Sequence, residues 1–258
     1  MIYTTGDTHG NFERFREEYF PEQTSMTKDD YVIVCGDFGG VWDGGKQEQK
    51  RLDGLEQLPF TLLFVSGNHE NFDLLAEYPV EDWNGGKIQR IRPHVIHLLR
   101  GQVFQLQGHS FFTMGGGKSH DIEDGILSPF AEDFREQYLY YRSIGAQFRV
   151  NHYSWWKEEM PAIAEMRAGV DALDAVDRKV DYLITHAPPG RVRGLLKTEE
   201  DSMMNALAVY FEELSGAVSF EKWFFGSLHI DRQISAKYYA VFSGVQPVWT
   251  PETKRARR

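Results

Sequence analysis

A short unit that recurs three times constrains the fold of this chain more than any other feature of its sequence. Each unit is a β-branched and aromatic run of four to seven residues, followed by glycine and a polar residue, and the runs lie at residues 2–5, 31–35 and 60–66. Runs of this composition are typical of buried strands. Their spacing of about 30 residues predicts parallel βαβ units, because parallel strands need a long crossover connection.

The two connections between these runs carry helical patterns. The first repeats aromatic residues at i, i+3, i+7 and i+8 from Phe12, behind a candidate cap at Asn11, which predicts an amphipathic helix. The second repeats leucine every three residues from Leu52 and stops before Pro59, which predicts a weaker helix.

Polar residues follow each predicted strand. Asp7, Asp37 and Asn68 come after the first three, His186 follows the run at 180–185, and Gly226 follows the run at 223–225. Because parallel strands end at one edge of a sheet, we expect these strand ends to converge in space.

The chain changes character after residue 95. The runs at 103–106 and 111–113 predict a hairpin, and residues 234–241 alternate like a further antiparallel strand. A second sheet, mixed or antiparallel, is therefore expected. We interpret residues 118–174 as a helical and loop insertion over one edge near the rim of the site, within a single domain that spans residues 1–258.

The residues at the strand ends are of types that bind metal. Asp7 and His9 lie two positions apart, and a carboxylate with an imidazole is a usual half-site for Mn²⁺, Fe or Zn²⁺. Each polar strand end also has an ordinary interpretation, because an aspartate beside glycine is a turn former and a histidine can be satisfied in a core. Those ordinary interpretations would have to hold independently at all five strand ends, which is improbable, so a metal site is the better interpretation.

The ordered motifs of the chain resemble those of the calcineurin-like metallophosphoesterase superfamily. The superfamily pattern is GD-x-H, GD, GNHE, a histidine after a strand, and G-H-x-H, which stand here at residues 6–9, 36–37, 67–70, 185–186 and 226–229. The resemblance implies an α/β fold, a four-layer α/β/β/α sandwich with two mixed β-sheets. It also implies a metal-dependent phosphohydrolase, either a phosphomonoesterase or a phosphodiesterase.

The resemblance further implies a centre of two divalent transition-metal ions, with manganese favoured and iron or zinc as alternatives. By position, Asp7, His9 and His229 would hold one ion, Asn68 and His186 the second, and Asp37 would bridge the two. A metal-bridging hydroxide would attack phosphorus in line. His69 would protonate the leaving alkoxide or hydrogen-bond the phosphate.

Two positions depart from the superfamily pattern. Ser227 stands where a histidine normally completes the second metal site, so it would contact that ion or its water. Gly40 stands where an aspartate or asparagine often orients the GNHE histidine. Both departures concern catalytic efficiency, and they motivate an alternative function, a degenerate metal- or phosphate-binding module with little turnover.

A cluster of aromatic and charged residues around residues 149–159 has two interpretations. Its tryptophans pack the insertion onto the sandwich, or the cluster is a substrate wall in which Arg149 or His152 binds phosphate oxygens. The sequence leaves the substrate open among a phosphoprotein, a nucleotide and a small phosphoester.

Charge and composition limit the partners. The net charge is −10, and about −14 without the four basic residues near the C-terminus, which makes nucleic acid an unfavourable partner. We expect the basic tail at residues 252–258 to be solvated and frayed. The single cysteine, Cys35, fits a reducing cytoplasm, and no apolar run reaches the ~18 residues that span a bilayer, so no membrane partner is expected.

Overall fold

The computed structural model describes residues 1–196 and 205–249. The strands in this part of the chain are β1 (Ile2–Thr5), β2 (Tyr31–Cys35), β3 (Thr61–Val65), β4 (Val80–Trp83), β5 (Gly86–Arg92), β6 (Val95–Leu98), β7 (Gln102–Leu106), β8 (His109–Met114), β9 (Gly125–Leu127), β10 (Phe148–Val150), β11 (Tyr182–Thr185), β12 (Lys222–Phe225), β13 (Arg232–Gln233), β14 (Tyr238–Ala240) and β15 (Gln246–Pro247). The α-helices are α1 (Lys46–Glu56), α2 (Phe72–Ala76), α3 (Phe134–Ile144), α4 (Ile163–Asp174), α5 (Gly190–Leu195) and α6 (Ala206–Ala217).

The first large sheet has seven strands in the order β15-β1-β2-β3-β6-β5-β4. Its four central strands, β1, β2, β3 and β6, are parallel, and Thr5 pairs with Val34 while Cys35 pairs with Val65. The predicted parallel units are therefore confirmed, and the three strand ends lie side by side.

The second large sheet has six strands in the order β13-β14-β12-β11-β8-β7 and is mixed. The predicted hairpin is confirmed as β7 and β8, which a two-residue turn joins at Gln107 and Gly108, both with positive φ (49° and 82°). The predicted antiparallel strand over 234–241 is wrong in extent and direction. It shrinks to β14, which runs parallel to β12 and is antiparallel to the short β13 alone. The Ser235 hydroxyl accepts hydrogen bonds from the N–H groups of Lys237 and Tyr238 and so bends the chain into a turn.

Three apolar layers hold the sheets and helices together. Between the two sheets, Ile33 and Leu63 of the first face Phe111 and Tyr182 of the second. The outer face of the first sheet packs against the 3-10 turns near the N-terminus and against α1 and α2, and the outer face of the second packs against α4 and α6. Helices therefore cover both outer faces, as the predicted four-layer sandwich requires.

The first predicted helix is wrong. In its place the chain forms two short 3-10 helices, Glu13–Phe15 and Pro21–Ser25. Tyr19, one of the four aromatic residues, is 60% exposed, so they do not share one buried face. Pro21 has no N–H to continue an α-helix and begins the second 3-10 helix. The second predicted helix is confirmed as α1, which ends at Glu56 and buries Leu52 and Leu55.

The segment at residues 118–174 contains α3 and α4 and also a small two-stranded parallel sheet of β9 and β10, which the expectation of helix and loop omitted. None of the residues of α3 is fully buried. The basic tail at residues 252–258 lies outside the described residues. Among the helices of residues 1–196 and 205–249, none has the length and apolar character to cross a membrane.

Candidate active site

The carboxyl ends of β1, β2, β3, β11 and β12 meet at one place, and the polar residues that follow them face one another. Asp7, Asp37, Asn68 and His186 are buried there, whereas the side chains of His9 and His229 are about half exposed. The burial of two carboxylates beside imidazoles is costly unless a cation or hydrogen bonds compensate.

Asp7, His9 and His229 form the first group of converging ligand atoms. Nε2 of His229 lies 3.0 Å from Asp7 Oδ2, and Nε2 of His9 lies 3.3 Å from Nε2 of His229. Burial by itself raises the pKa of Asp7. The charge of His186 and the hydrogen bonds from His229 and the Ser227 N–H outweigh burial, and the pKa of Asp7 lies below its ordinary value. Asp7 is therefore an anionic ligand near neutral pH.

Asp37, Asn68 and His186 form the second group. Nδ1 of His186 lies 3.1 Å from the carbonyl oxygen of Cys35, which can only accept, so in the neutral imidazole Nδ1 carries the proton and Nε2 has the free lone pair. That lone pair lies 2.9 Å from Asn68 Oδ1, because the Asn68 amide donates through Nδ2 to Ser119 Oγ at 3.3 Å. Two acceptors face each other, which is the arrangement that a cation between them resolves.

Asp37 reaches both groups with one carboxylate. Its Oδ2 lies 3.7 Å from His9 Nε2, and its Oδ1 lies 3.6 Å from His186 Nε2. Within the described residues, two sets of ligand atoms lie within 4.8 Å of one another, namely Asp7, His9 and His229, and Asp7, Asp37 and His186. Their mixture of carboxylate oxygen and imidazole nitrogen suits first-row divalent ions.

Glycine makes the close approach of these side chains sterically feasible. A Cβ at Gly36 would lie 2.2 Å from His186 Nδ1, and one at Gly67 would lie 1.9 Å from Asp37 Oδ1. Non-glycine residues at the site also adopt left-handed backbone, at His9, Asp37, Ser227 and His229. Such conformations cost free energy and cluster at functional sites.

The predicted catalytic residue, His69, faces a cavity of about 490 Å³ that His9 of the first group also lines. Its ring lies 5.6 Å from the ring of His9 in an edge-on arrangement. Burial, with the charges of Arg149 and His9, lowers the pKa of His69. The lowered pKa favours the neutral imidazole, which presents both a donor and an acceptor.

The two predicted substrate-binding residues have different positions. Arg149 lines the cavity of His69 and is held by Asp121, whose Oδ2 lies 2.8 Å from Arg149 Nε. His152 is not among the lining residues. Its Nδ1 lies 2.8 Å from Asp73 Oδ2, and the same oxygen accepts a hydrogen bond from the Trp156 indole.

The two positions that depart from the superfamily pattern have structural roles. The backbone N–H of Ser227 donates to Asp7 Oδ1 at 3.0 Å. At Gly40, a Cβ would lie 2.3 Å from the Phe38 ring, which stacks on Phe64. Glycine at position 40 therefore has a packing reason that is independent of catalysis.

Glu70, the last residue of the GNHE motif, has a structural role. Its buried carboxyl group accepts hydrogen bonds from the N–H groups of Phe38, Gly39 and Gly67. Burial and the negative charge of Asp37 raise the pKa of Glu70 to about 8. The side chain ties the loop after β2 to the loop after β3, which fixes Asp37 relative to Asn68.

Sequence reasoning missed Arg14 and Arg51. Arg51 of α1 lines the cavity of His69. The Arg14 guanidinium donates to Thr5 Oγ1 and to the carbonyl oxygens of Gly6, Asp7 and Phe242. No sequence pattern indicated a role for Arg14, because the helix predicted from Phe12 would have placed it on the solvent side, and that helix does not form.

Comparison with known proteins gives the family. Lariat debranching enzyme A of Xenopus laevis is 27% identical over 161 residues, which are 55% of this chain and 29% of that protein. The lariat debranching enzyme of Danio rerio is 26% identical over 140 residues, which are 48% of this chain and 23% of that protein. The match thus spans less than a third of the length of either relative. Because the model of the calcineurin-like phosphoesterase family matches residues 1–230, the chain belongs to that family.

Proposed function

We propose that this protein hydrolyses phosphoesters at a centre of two divalent metal ions. The observation that carries the proposal is the position of Asp37, whose two oxygens lie 3.6 and 3.7 Å from imidazole nitrogens of different groups. Asp7, His9 and His229 would hold one ion, and Asn68 and His186 the other, with Asp37 between them. Manganese fits this donor set, as do iron and zinc.

Bound ions would supply Lewis acidity at the phosphoryl oxygens and lower the pKa of water. The residues of the chain would orient the substrate and protonate its leaving group. His69 faces the cavity that His9 also lines, where its imidazolium form can give a proton to the leaving oxygen and become the neutral imidazole. Arg149 and Arg51 line the same cavity and supply positive charge for a phosphoryl group.

A phosphodiester is the substrate that we favour. The support for a phosphodiester is the similarity to lariat debranching enzymes. This similarity opposes the expectation from net charge that nucleic acid is an unfavourable partner. The acidic charge is a property of the whole surface, whereas the cavity itself carries two arginines, Arg51 and Arg149, and one aspartate, Asp43. Phosphomonoesters are the second candidate substrates. We also propose a cytoplasmic location, because Cys35 is a buried free thiol.

Hydrolysis of bis(p-nitrophenyl) phosphate and p-nitrophenyl phosphate, each with added Mn²⁺, tests the proposal. Asp37→Asn should abolish metal-dependent turnover of both compounds and lower the metal content below that of the parent. Asp82→Asn is the matched control, because Asp82 is an exposed aspartate of β4 whose partner is Lys87. Metal uptake by the parent without hydrolysis of either compound would instead support the degenerate binding module.

A further inference from the structure

A second cavity, of about 790 Å³, lies within residues 121–154, in the segment that covers the edge of the sandwich. Its walls come from α3, from β10 and from the loop after β10. The side chains that matter most for its chemistry are aromatic or cationic, namely Phe134, Tyr138, Arg142, Phe148, Arg149 and Tyr153.

The aromatic residues of this second cavity form one connected wall. The ring of Tyr138 lies 5.7 Å from that of Phe134 and 5.6 Å from that of Phe148. These three rings are partly buried, so each is fixed by its neighbours and still presents surface to the cavity. The Arg142 guanidinium lies 5.9 Å from the centre of the Tyr138 ring. Aromatic faces with an arginine plane are the surfaces on which nucleobases stack.

Arg149 joins the two cavities, because it lines both the aromatic wall and the space in front of His69. Its guanidinium is held in place by Asp121, whose Oδ2 lies 2.8 Å from Arg149 Nε. One ligand can therefore extend from the metal-binding groups past Arg149 to the aromatic wall.

We propose that the second cavity binds the nucleobase of a phosphoester substrate whose phosphate lies at the metal centre that Asp7 and Asp37 would hold. This inference rests on the proposed function and names the substrate class, a nucleoside-bearing phosphoester. A nucleoside carries its ring one sugar away from phosphorus, which suits a ring site beyond Arg149. In a phosphotyrosine the ring is bonded directly to the ester oxygen, so that ring would stay in the smaller cavity. Gln147 and Ser154 supply polar groups for the edge of a base.

Two phosphodiesters with the same leaving group test the proposal, thymidine 5′-(p-nitrophenyl phosphate) and methyl p-nitrophenyl phosphate. Both release p-nitrophenolate from a diester, and they differ in the presence of the nucleoside. The nucleoside ester should have a kcat/KM about 5-fold to 150-fold higher, which is the range that stacking of one base provides. Equal kcat/KM values for the two esters would overturn the proposal.

Variants of two tyrosines on one helix assign the effect to the cavity. Tyr138→Leu should remove most of the preference for the nucleoside ester and leave the methyl ester rate within about 2-fold. Tyr140→Leu is the matched control, because Tyr140 lies on α3, is 58% exposed and does not line the cavity. A Tyr138→Leu variant that loses the same factor on both esters would contradict a base site.

Binding without turnover separates this inference from the proposed function. If neither ester is hydrolysed with Mn²⁺, the proposed function fails. Calorimetric titration of adenosine, which has no phosphate, still tests the cavity, and binding that Tyr138→Leu weakens and Tyr140→Leu preserves would support it. Absence of adenosine binding together with rapid hydrolysis of a phosphotyrosine peptide would overturn it, as would a dimer in solution that Tyr138→Leu dissociates.

Discussion

The backbone N–H of His69 donates a 2.8 Å hydrogen bond to Oδ1 of Asp37. The proposed acid and the proposed bridging carboxylate are thus tied through the main chain, which a substitution of the His69 side chain leaves in place. The side chain of His69 can therefore be tested apart from the geometry of Asp37.

His69→Asn should keep the metal content of the parent and lower turnover of an alkyl phosphoester by about 10²-fold to 10⁴-fold, as expected for the loss of a general acid. The loss should be much smaller for an ester of p-nitrophenol, because that leaving group needs little protonation. Steady-state kinetics on both substrates, with metal analysis of the same samples, measures this. Equal losses on the two substrates would indicate a phosphate-binding role for His69.

Arg14 should act as a positioning residue for the first group of ligands. It donates to the carbonyl oxygens of Asp7 and Phe242, and the Phe242 ring stacks on His229 with 4.7 Å between ring centres. Arg14→Lys keeps the charge and loses the fork of donors, so we expect Mn²⁺ affinity to fall by roughly 10-fold to 100-fold.

Calorimetric titration of Mn²⁺ into the metal-free protein measures the effect of Arg14→Lys. Arg16→Lys is the matched control, because Arg16 is exposed and its ion pair is with the equally exposed Glu13. Unchanged Mn²⁺ affinity in Arg14→Lys would show that the guanidinium does not orient the ligands.

Two glycine substitutions should change stability in opposite directions. Gly40→Ala would force a Cβ to 2.3 Å from the buried Phe38 ring and should lower the free energy of unfolding by about 1–3 kcal/mol. Gly54→Ala lies in α1, where a Cβ meets nothing within 4 Å, and should raise the free energy of unfolding by about 1 kcal/mol. Urea denaturation of both variants measures this, and a stable Gly40→Ala would mean that packing does not explain glycine there.

His97 should make the protein less stable in acid. It is buried in β6 against Phe64, with 4.7 Å between ring centres, and burial, aided by the charge of Arg100, lowers its pKa from 6.5 to about 3. Between these pH values the unfolded chain binds a proton that the folded protein does not. The free energy of unfolding therefore falls as the pH drops below about 6.5, by about 1.4 kcal/mol per pH unit from this residue.

His97→Phe retains a ring against Phe64 and removes the titrating group. The difference between the free energies of unfolding at pH 7 and pH 5 should be smaller in His97→Phe than in the parent by about 2 kcal/mol. Urea denaturation of both metal-free proteins at the two pH values measures it. The same difference in both proteins would mean that His97 takes up its proton in the folded state.

The sequence by itself determined the frame of the molecule and the place of its candidate site. Apolar runs about 30 residues apart can bury both faces only in parallel units, and parallel strands bring their carboxyl ends to one edge. Asp7, Asp37 and Asn68 could be expected to meet for that reason. The same periodicity failed at residues 12–20, because spacing alone does not reveal that Tyr19 stays exposed.

Only the tertiary structure decided the contacts that join distant parts of the chain. The tautomer of His186 depends on the Cys35 carbonyl, 151 positions away, and the position of His229 depends on Phe242, which Arg14 holds. The cavity of Phe134, Tyr138 and Phe148 likewise arises where α3 packs beside β10. Local propensity and spacing carry no information on such pairings, because their free energy comes from groups that become neighbours only after the sheets and helices have packed.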